Sequence, residues 1–200
     1  RLAIAGDGSD DILVVNSLND YRAFRENLDK KNDKRVVLLG AGLIGCEFAN
    51  DLQNTGHKVT VIDLATQPLC RLLPAHVASA FKQGLEDTGV HFVLGTTVEK
   101  ISKAENNSYV VTLANGQSFI ADAVLSAIGL QPNTALAKAT NIATARGVLT
   151  NSSLETNQAD IFAVGDCAEV NGTLLPFVMP IMQQARALAK TLNGIQTTVH

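Results

Sequence analysis

VVLLGAGLIG, residues 36–45, is the stretch that decides the fold. Its first four residues are apolar and include two valines, which is typical of a parallel strand buried on both faces. Gly40, Gly42 and Gly45 follow with the G-x-G-x-x-G spacing, and an amphipathic helical pattern comes directly after them. A glycine turn between a parallel strand and a helix predicts a loop that binds the pyrophosphate of a dinucleotide.

The three glycines have different expected roles. Gly40 permits the tight turn, Gly42 lets the backbone approach a pyrophosphate, and Gly45 allows the helix to pack closely on the strand. Leu43 and Ile44 lie at the amino-terminus of the predicted helix, where free N–H groups and the helix dipole favour a phosphate. A glycine-rich turn without a ligand is the alternative, and the acidic residue described next argues against it.

Asp63 follows a second apolar strand, Val59-Thr60-Val61-Ile62. With the helix at about 43–54, this strand completes a βαβ unit of the expected size. A carboxylate at this position accepts hydrogen bonds from the adenosine ribose and repels a 2′-phosphate. Because no arginine or lysine follows until Arg71, we expect NAD rather than NADP. A solvated acid at a strand end is the other interpretation.

Residues 35–130 are predicted to form one NAD-binding domain, in which a three-stranded meander is inserted into a parallel sheet. Asn115-Gly116 is a strong hairpin signal between two of the meander strands, since both turn positions require a positive φ. The remaining predicted elements are a helix at 74–88, a strand at 91–94, meander strands at about 97–103, 108–113 and 117–120, and a buried strand from Val124 to Ile128 that ends before Gly129.

A second ligand site is predicted at Gly165 and Asp166, directly after the apolar run Ile161-Phe162-Ala163-Val164. That run is predicted to be a buried strand, and open α/β sheets bind ligands at the carboxyl ends of their strands. The residues alone leave open whether this is a site or an ordinary glycine–aspartate pair. A strand at 148–150 and a helix from Pro180 to Leu192 complete this part of the chain.

Four stretches carry a resemblance that extends over nearly the whole chain. They are GAGLIGCEFAND at 40–51, LSAIGLQPN at 125–133, AVGDCAE at 163–169 and LPFVMPIMQQAR at 175–186. These stretches resemble the FAD-dependent pyridine nucleotide-disulfide oxidoreductases, and most closely the members that deliver electrons to rubredoxin. The resemblance implies an α/β fold, with a Rossmann-like NAD-binding domain followed by the second part of an FAD-binding domain at residues 131–200.

The resemblance also implies roles for individual residues. Asp166 would hydrogen-bond a ribitol hydroxyl of FAD, and the backbone around Val178, just before a helix, would face the flavin. Glu47 would lie at the junction of nicotinamide and flavin, although its position alone favours a solvent-facing helix acid. Ile128 and Gly129 would let the backbone pass close to both cofactors.

Residues 1–34 are interpreted as a remnant of the FAD domain and a linker. The FAD domain of this family begins with a glycine loop of its own, whereas this chain carries only the loop at 40–45. We therefore expect the chain to be the central part of a longer protein, and the isolated chain to be inactive.

The implied activity is electron transfer from NADH through FAD to rubredoxin, with the cofactors supplying the chemistry and no side chain acting as a nucleophile or acid. A ferredoxin reductase, an NADH oxidase or a disulfide reductase of the same fold stays open. So does a module that binds NAD without activity. The spacing of Cys46, Cys70 and Cys167 excludes a CxxC of the thioredoxin-reductase type in this domain.

The composition argues against several other classes. A net charge of −3 offers no basic field for nucleic acid or an anionic membrane, and no apolar run approaches the length of a membrane span. The three cysteines are an odd number without metal-ligand spacing. This argues against a disulfide framework or a metal site and favours the cytoplasm.

Overall fold

The computed structural model describes residues 4–29 and 33–199, and the chain divides into two compact units, Arg1–Gly129 and Leu130–His200. Two short 3-10 turns, Ser9–Asp11 and Glu105–Asn107, lie in the first unit. In chain order the other elements are α1 (Leu18–Asp29), β1 (Arg35–Leu39), α2 (Leu43–Asn54), β2 (Lys58–Asp63), α3 (Ala75–Asp87), β3 (His91–Leu94), β4 (Val98–Ala104), β5 (Ser108–Leu113), β6 (Ser118–Ala121), β7 (Ala123–Ser126), α4 (Ala135–Ala139), β8 (Val148–Thr150), β9 (Ala168–Val170), β10 (Thr173–Leu174) and α5 (Val178–Leu192).

A parallel four-stranded sheet in the order β3-β2-β1-β7 forms the centre of the first unit. β2 and β3 lie on one side of β1 and β7 lies on the other, so the strand order reverses at β1. Leu39, the last residue of β1, is in register with Ile62 of β2 and Ser126 of β7. The carboxyl ends of three neighbouring strands therefore meet at one edge, which is where open α/β sheets bind ligands.

Both faces of the central sheet are covered, as the apolar run in β1 predicts. Val36 and Leu38 belong to a core shared with α1, α2 and α3, whereas Val37 and Leu39 belong to a core shared with the meander strands. Successive side chains of a strand point to opposite faces. A strand between a helical layer and a second sheet must therefore be apolar at every position.

The predicted meander is present as an antiparallel sheet in the order β4-β5-β6. Gly116 in the turn between β5 and β6 has a φ of 85°. The corner between β6 and β7 is held by Asp122, whose carboxylate accepts hydrogen bonds from the Arg35 backbone N–H at 2.8 Å and from its guanidinium at 2.7 and 3.0 Å. This contact fixes the end of the meander to the beginning of β1.

The described part of the predicted leading segment lies in the first unit. The Ala5 backbone bonds to the β4 backbone through the Glu99 carbonyl at 3.1 Å and the Ile101 N–H at 2.9 Å. Leu13 pairs with β7, and Phe24 and Leu28 of α1 are buried in the helical core. The interpretation of residues 1–34 as an FAD-domain remnant and linker stays a prediction, and residues 1–3 and 30–32 lie outside the described part of the chain.

The second unit contains a small sheet in the order β10-β9-β8, together with α4 and α5. The prediction of a strand at Ile161–Val164 is wrong, because this segment makes only a single bridge, between Phe162 and Glu155. The residues just outside the segment, Asp160 and Gly165, have φ values of 61° and 92°, which bend the chain out of the extended conformation. Ile161 and Val164 are correspondingly exposed.

Two element boundaries differ from the sequence predictions. The strand predicted to run to Ile128 ends at Ser126, and Ile128 is exposed. The last helix begins at Val178 rather than at Pro180. Pro180 falls in the first helical turn, where the missing N–H costs nothing because N–H groups there have no partner within the helix. Among the described residues, no helix has the length and apolar character needed to cross a bilayer.

Candidate functional site

The glycine loop between β1 and α2 has the geometry that its three roles require. Gly40 has a φ of 108°, and a Cβ there would lie 2.7 Å from the carbonyl oxygen of Ala127. A Cβ at Gly45 would lie 2.0 Å from the carbonyl oxygen of Gly40. A Cβ at Gly42 would meet no atom within 4 Å, so the loop backbone at Gly42 is open to an approaching group.

The amino-terminus of α2 offers unpaired backbone donors beside this open position. Gly42 is the N-cap, no side chain caps the helix, and its first turn contains no acidic residue. The N–H of Cys46 bonds to the Gly42 carbonyl at 2.9 Å, which is the first hydrogen bond of the helix. The helix therefore provides no carbonyl partner for the N–H groups of Leu43, Ile44 and Gly45. Such a terminus favours an anion through its N–H groups and its dipole.

Asp63, at the end of β2, contacts the same loop. One carboxylate oxygen accepts the Ala41 N–H at 2.6 Å, and the other accepts the Ala65 N–H at 2.7 Å. Each carboxylate oxygen can accept more than one hydrogen bond. Asp63 therefore orders the glycine loop and keeps acceptor capacity at the sheet edge.

The carbonyl of Ala41 is held as well, by two groups on other segments. It accepts the Leu69 N–H at 2.9 Å and lies 3.5 Å from the Cys46 sulfur. Burial raises the pKa of the Cys46 thiol to about 11, and the negative charges of Asp63 and Glu47 add to this shift. Cys46 is therefore a neutral, buried thiol beneath the loop, which gives it a structural role.

Ile128 and Gly129 lie just beyond the end of β7, at the same edge of the sheet. The Ala127–Ile128 backbone packs against Gly40, and Gly129 has a φ of 116° with open space around it. Glu47 is exposed on α2, one turn beyond the loop. The structure thus brings the glycine loop, Asp63 and Ile128–Gly129 together at one edge of the parallel sheet.

The remaining predicted site residues lie in the second unit. Gly165 has a φ of 92°, and its N–H donates to the Gln184 side-chain oxygen at 2.9 Å. Asp166 is exposed next to it. Val178 is the first residue of α5 and is 75% exposed, and this helix also begins without a side-chain cap or an acidic first turn.

The sequence predictions did not include Gln184, although it is only 4% exposed and bonds directly to the predicted turn. Its position offered a signal, because Ile181, Gln184 and Leu188 are spaced to share one face of α5. A glutamine on the apolar face of a helix requires a buried hydrogen-bond partner. Leu69 was also missed, because its contact with Ala41 depends on the path of a loop.

The parallel sheet, the open glycine loop and the acid at the end of β2 together define a dinucleotide-binding fold. The sequence matches the pyridine nucleotide-disulphide oxidoreductase family over residues 1–191, and the chain belongs to that family. The predicted fold class is thereby confirmed.

The chain is similar to several named reductases. It is 74% identical to a rubredoxin-NAD(+) reductase of Acinetobacter baylyi, covering 100% of this chain and 51% of the relative. It is 46% identical to a rubredoxin-NAD(+) reductase of Alcanivorax borkumensis, covering 98% of this chain and 51% of that one. A ferredoxin reductase from Rhodopseudomonas palustris has a similar structure, with a TM-score of 0.89 and 29% identity over 100% of this chain and 50% of its own. The chain therefore spans about half the length of these proteins.

Proposed function

We propose that this chain provides the NAD-binding unit and part of the FAD-binding unit of an enzyme that carries electrons from NADH through FAD to rubredoxin. The observation that carries this proposal is the meeting of the glycine loop, Asp63 and Ile128–Gly129 at one edge of the parallel sheet. Rubredoxin is proposed as the acceptor because the two curated relatives are named for it.

The residues at this edge fit the two polar parts of NAD. The open backbone at Gly42 and the free N–H groups of Leu43 and Ile44 would bind the pyrophosphate. The Asp63 carboxylate would accept hydrogen bonds from the adenosine ribose, and its charge would repel the 2′-phosphate of NADP. Ile128 and Gly129 would lie beside the nicotinamide half, with Glu47 one turn away on α2.

The second unit fits part of an FAD site. Asp166 would accept a hydrogen bond from a ribitol hydroxyl, and Gly165 would allow the chain to come close to the cofactor. The uncapped terminus of α5 at Val178 would place positive dipole charge beside the flavin. The bound flavin would supply the redox chemistry, accepting a hydride from NADH and passing electrons on singly, while these residues would hold and orient it.

In this proposal residues 35–130 are the NAD-binding domain and residues 131–200 are the later part of the FAD-binding domain. The whole protein would lie in the cytoplasm. Cysteine usage supports that location, because three cysteines without paired spacing suit a reducing compartment.

The test is electron transfer by the intact, flavin-loaded protein. NADH is mixed with the enzyme and either oxidised rubredoxin or oxidised ferredoxin, and the reduction rate of each acceptor is followed by absorbance. We expect faster reduction of rubredoxin, and slower reduction when NADPH replaces NADH. The structural similarity to a ferredoxin reductase makes ferredoxin the relevant second candidate. Slower transfer to rubredoxin than to ferredoxin would contradict the assignment of the acceptor.

A further inference from the structure

We infer that Gln184 is a positioning residue of the FAD site, an inference that rests on the proposed function of Gly165 and Asp166. Gln184 lies in the middle of α5 and is only 4% exposed. A buried amide is costly unless it is hydrogen-bonded. Its side-chain oxygen accepts the Gly165 N–H at 2.9 Å. The buried amide oxygen is therefore satisfied by the turn that contains Asp166.

The turn is held at both backbone groups of Gly165. The N–H of Gly165 is bound by Gln184, and its carbonyl accepts the Ala168 N–H at 3.0 Å. Between these contacts Gly165 adopts a φ of 92°, a conformation that residues with a side chain rarely adopt. The Gln184 contact therefore fixes the turn to α5 through the Gly165 N–H.

The orientation of the Asp166 carboxylate depends on the backbone of this turn. Its side chain is exposed, and within residues 4–29 and 33–199 its carboxylate has no hydrogen-bond or ion-pair partner. The backbone of the turn therefore sets where the carboxylate points. A carboxylate that must meet a ribitol hydroxyl within hydrogen-bond distance loses affinity when its backbone shifts.

The same glutamine also links Asp166 to the other part of the site. Gln184 and Val178 belong to one continuous helix, α5. A single hydrogen bond thus fixes the Asp166 turn relative to the helix whose amino-terminus is proposed to face the flavin. Gln184 acts through these two features and does not itself need to touch the cofactor.

The test is a titration of the intact protein with FAD after removal of its flavin. Q184M keeps the side-chain length and removes the amide acceptor, Q184E restores an acceptor, and Q183M is the matched control on the exposed neighbouring residue. We expect Q184M to bind FAD about tenfold more weakly, a change of about 1.4 kcal/mol. We expect Q184E to recover most of this loss, and Q183M and the NADH affinity of every variant to stay unchanged.

A double-mutant cycle with Asp166→Ala separates positioning from a general loss of stability. If Gln184 acts through the turn, Q184M weakens FAD binding much less in the Asp166→Ala background than in the wild type. Fully additive losses would overturn the inference. So would wild-type FAD affinity in Q184M. If Q184M does not fold, Q184E decides: retained FAD affinity supports the inference, and a tenfold loss with normal NADH binding overturns it.

The two proposals can fail separately. A wild-type protein that binds no FAD, or Asp166→Ala with wild-type FAD affinity, contradicts the proposed function and with it the inference. A wild-type protein that binds FAD through Asp166, together with a Q184M variant of equal affinity, contradicts the inference alone.

Discussion

Ala41 shows how closely individual residues control the glycine loop. Its N–H is bound by the carboxylate of Asp63, and its carbonyl receives the Leu69 N–H. Leu69 has a φ of 52° and is buried, so a bulky side chain is held in a left-handed conformation to make this contact. Backbone strain of this kind costs about 1–3 kcal/mol and is retained where the surrounding structure requires it. Both backbone groups of Ala41 are thus fixed by contacts with other segments.

The cysteines differ in reactivity because of their surroundings. Cys46 is 3% exposed and its pKa is raised to about 11, mainly by burial, whereas Cys70 is exposed. At pH 8 we expect iodoacetamide to modify Cys70 and to leave Cys46 unmodified, as measured by mass spectrometry of peptides. Modification of both sites at equal rates in the folded protein would contradict the buried position of Cys46. Unfolding in urea should make Cys46 reactive.

The same shift predicts how Cys46 affects stability at high pH. Because its pKa in the folded protein lies above its ordinary value of 9.0, folding favours the protonated thiol. The raised pKa therefore adds to the free energy of unfolding. This contribution is complete below pH 9.0 and is lost as the pH rises through about 11. Replacement by serine should therefore weaken the pH dependence of unfolding in this range.

The elements around the loop depend on one close approach between a helix and the end of a strand. Gly45 of α2 lies so near the Gly40 carbonyl that an added Cβ would come within 2.0 Å of its oxygen. We expect Gly45→Ala to lower the free energy of unfolding by about 1–3 kcal/mol, because backbone must shift to relieve the overlap. NADH affinity should fall as well.

Gly84 provides the matched control, since it lies in α3, is exposed and has open space around its Cα. Gly84→Ala should raise the free energy of unfolding by about 0.5–1 kcal/mol, because alanine favours the helix. Urea denaturation of both variants measures the difference. Equal stability of Gly45→Ala and the wild type would show that the loop and helix are not packed as described.

Most elements of the first unit could be predicted from sequence because their patterns are local. The apolar run at 36–39 is followed directly by the glycine spacing at 40–45, and Asn115–Gly116 is itself a turn signal, so neighbouring residues support both predictions. The segment at 161–164 has the same apolar character, but the positive φ values of its neighbours and its single bridge depend on tertiary contacts. Local propensity cannot distinguish these two situations.

In the candidate sites, too, local features could be predicted from the sequence and tertiary contacts could not. The spacing of Gly40, Gly42 and Gly45 specifies three backbone requirements, and the geometry of the loop matches each of them. The link between Gln184 and Gly165 joins residues far apart in the chain, so no motif announces it. The contact between the Asp63 carboxylate and the Ala41 N–H is similar, since it also joins residues on two different segments.

At the scale of the whole molecule, each of the two compact units contributes one group of candidate ligand residues. In the first unit the reversal of strand order at β1 leaves an open edge where the loop, Asp63 and Ile128–Gly129 meet. In the second unit the Gly165 turn is joined to the middle of α5 by the buried side chain of Gln184. In the proposed function the first group would bind NAD and the second would bind part of FAD.

The most direct test of this account is the change in nucleotide preference of the intact protein on Asp63→Arg, measured by calorimetric titration with NADH and NADPH. Asp87→Arg is the control, because it makes the same charge change at an exposed site near the end of α3. The wild type and the control should prefer NADH by tenfold or more, about 1.4 kcal/mol, and Asp63→Arg should lose NADH affinity and gain relative affinity for NADPH. Unchanged NADH affinity in Asp63→Arg would contradict the account.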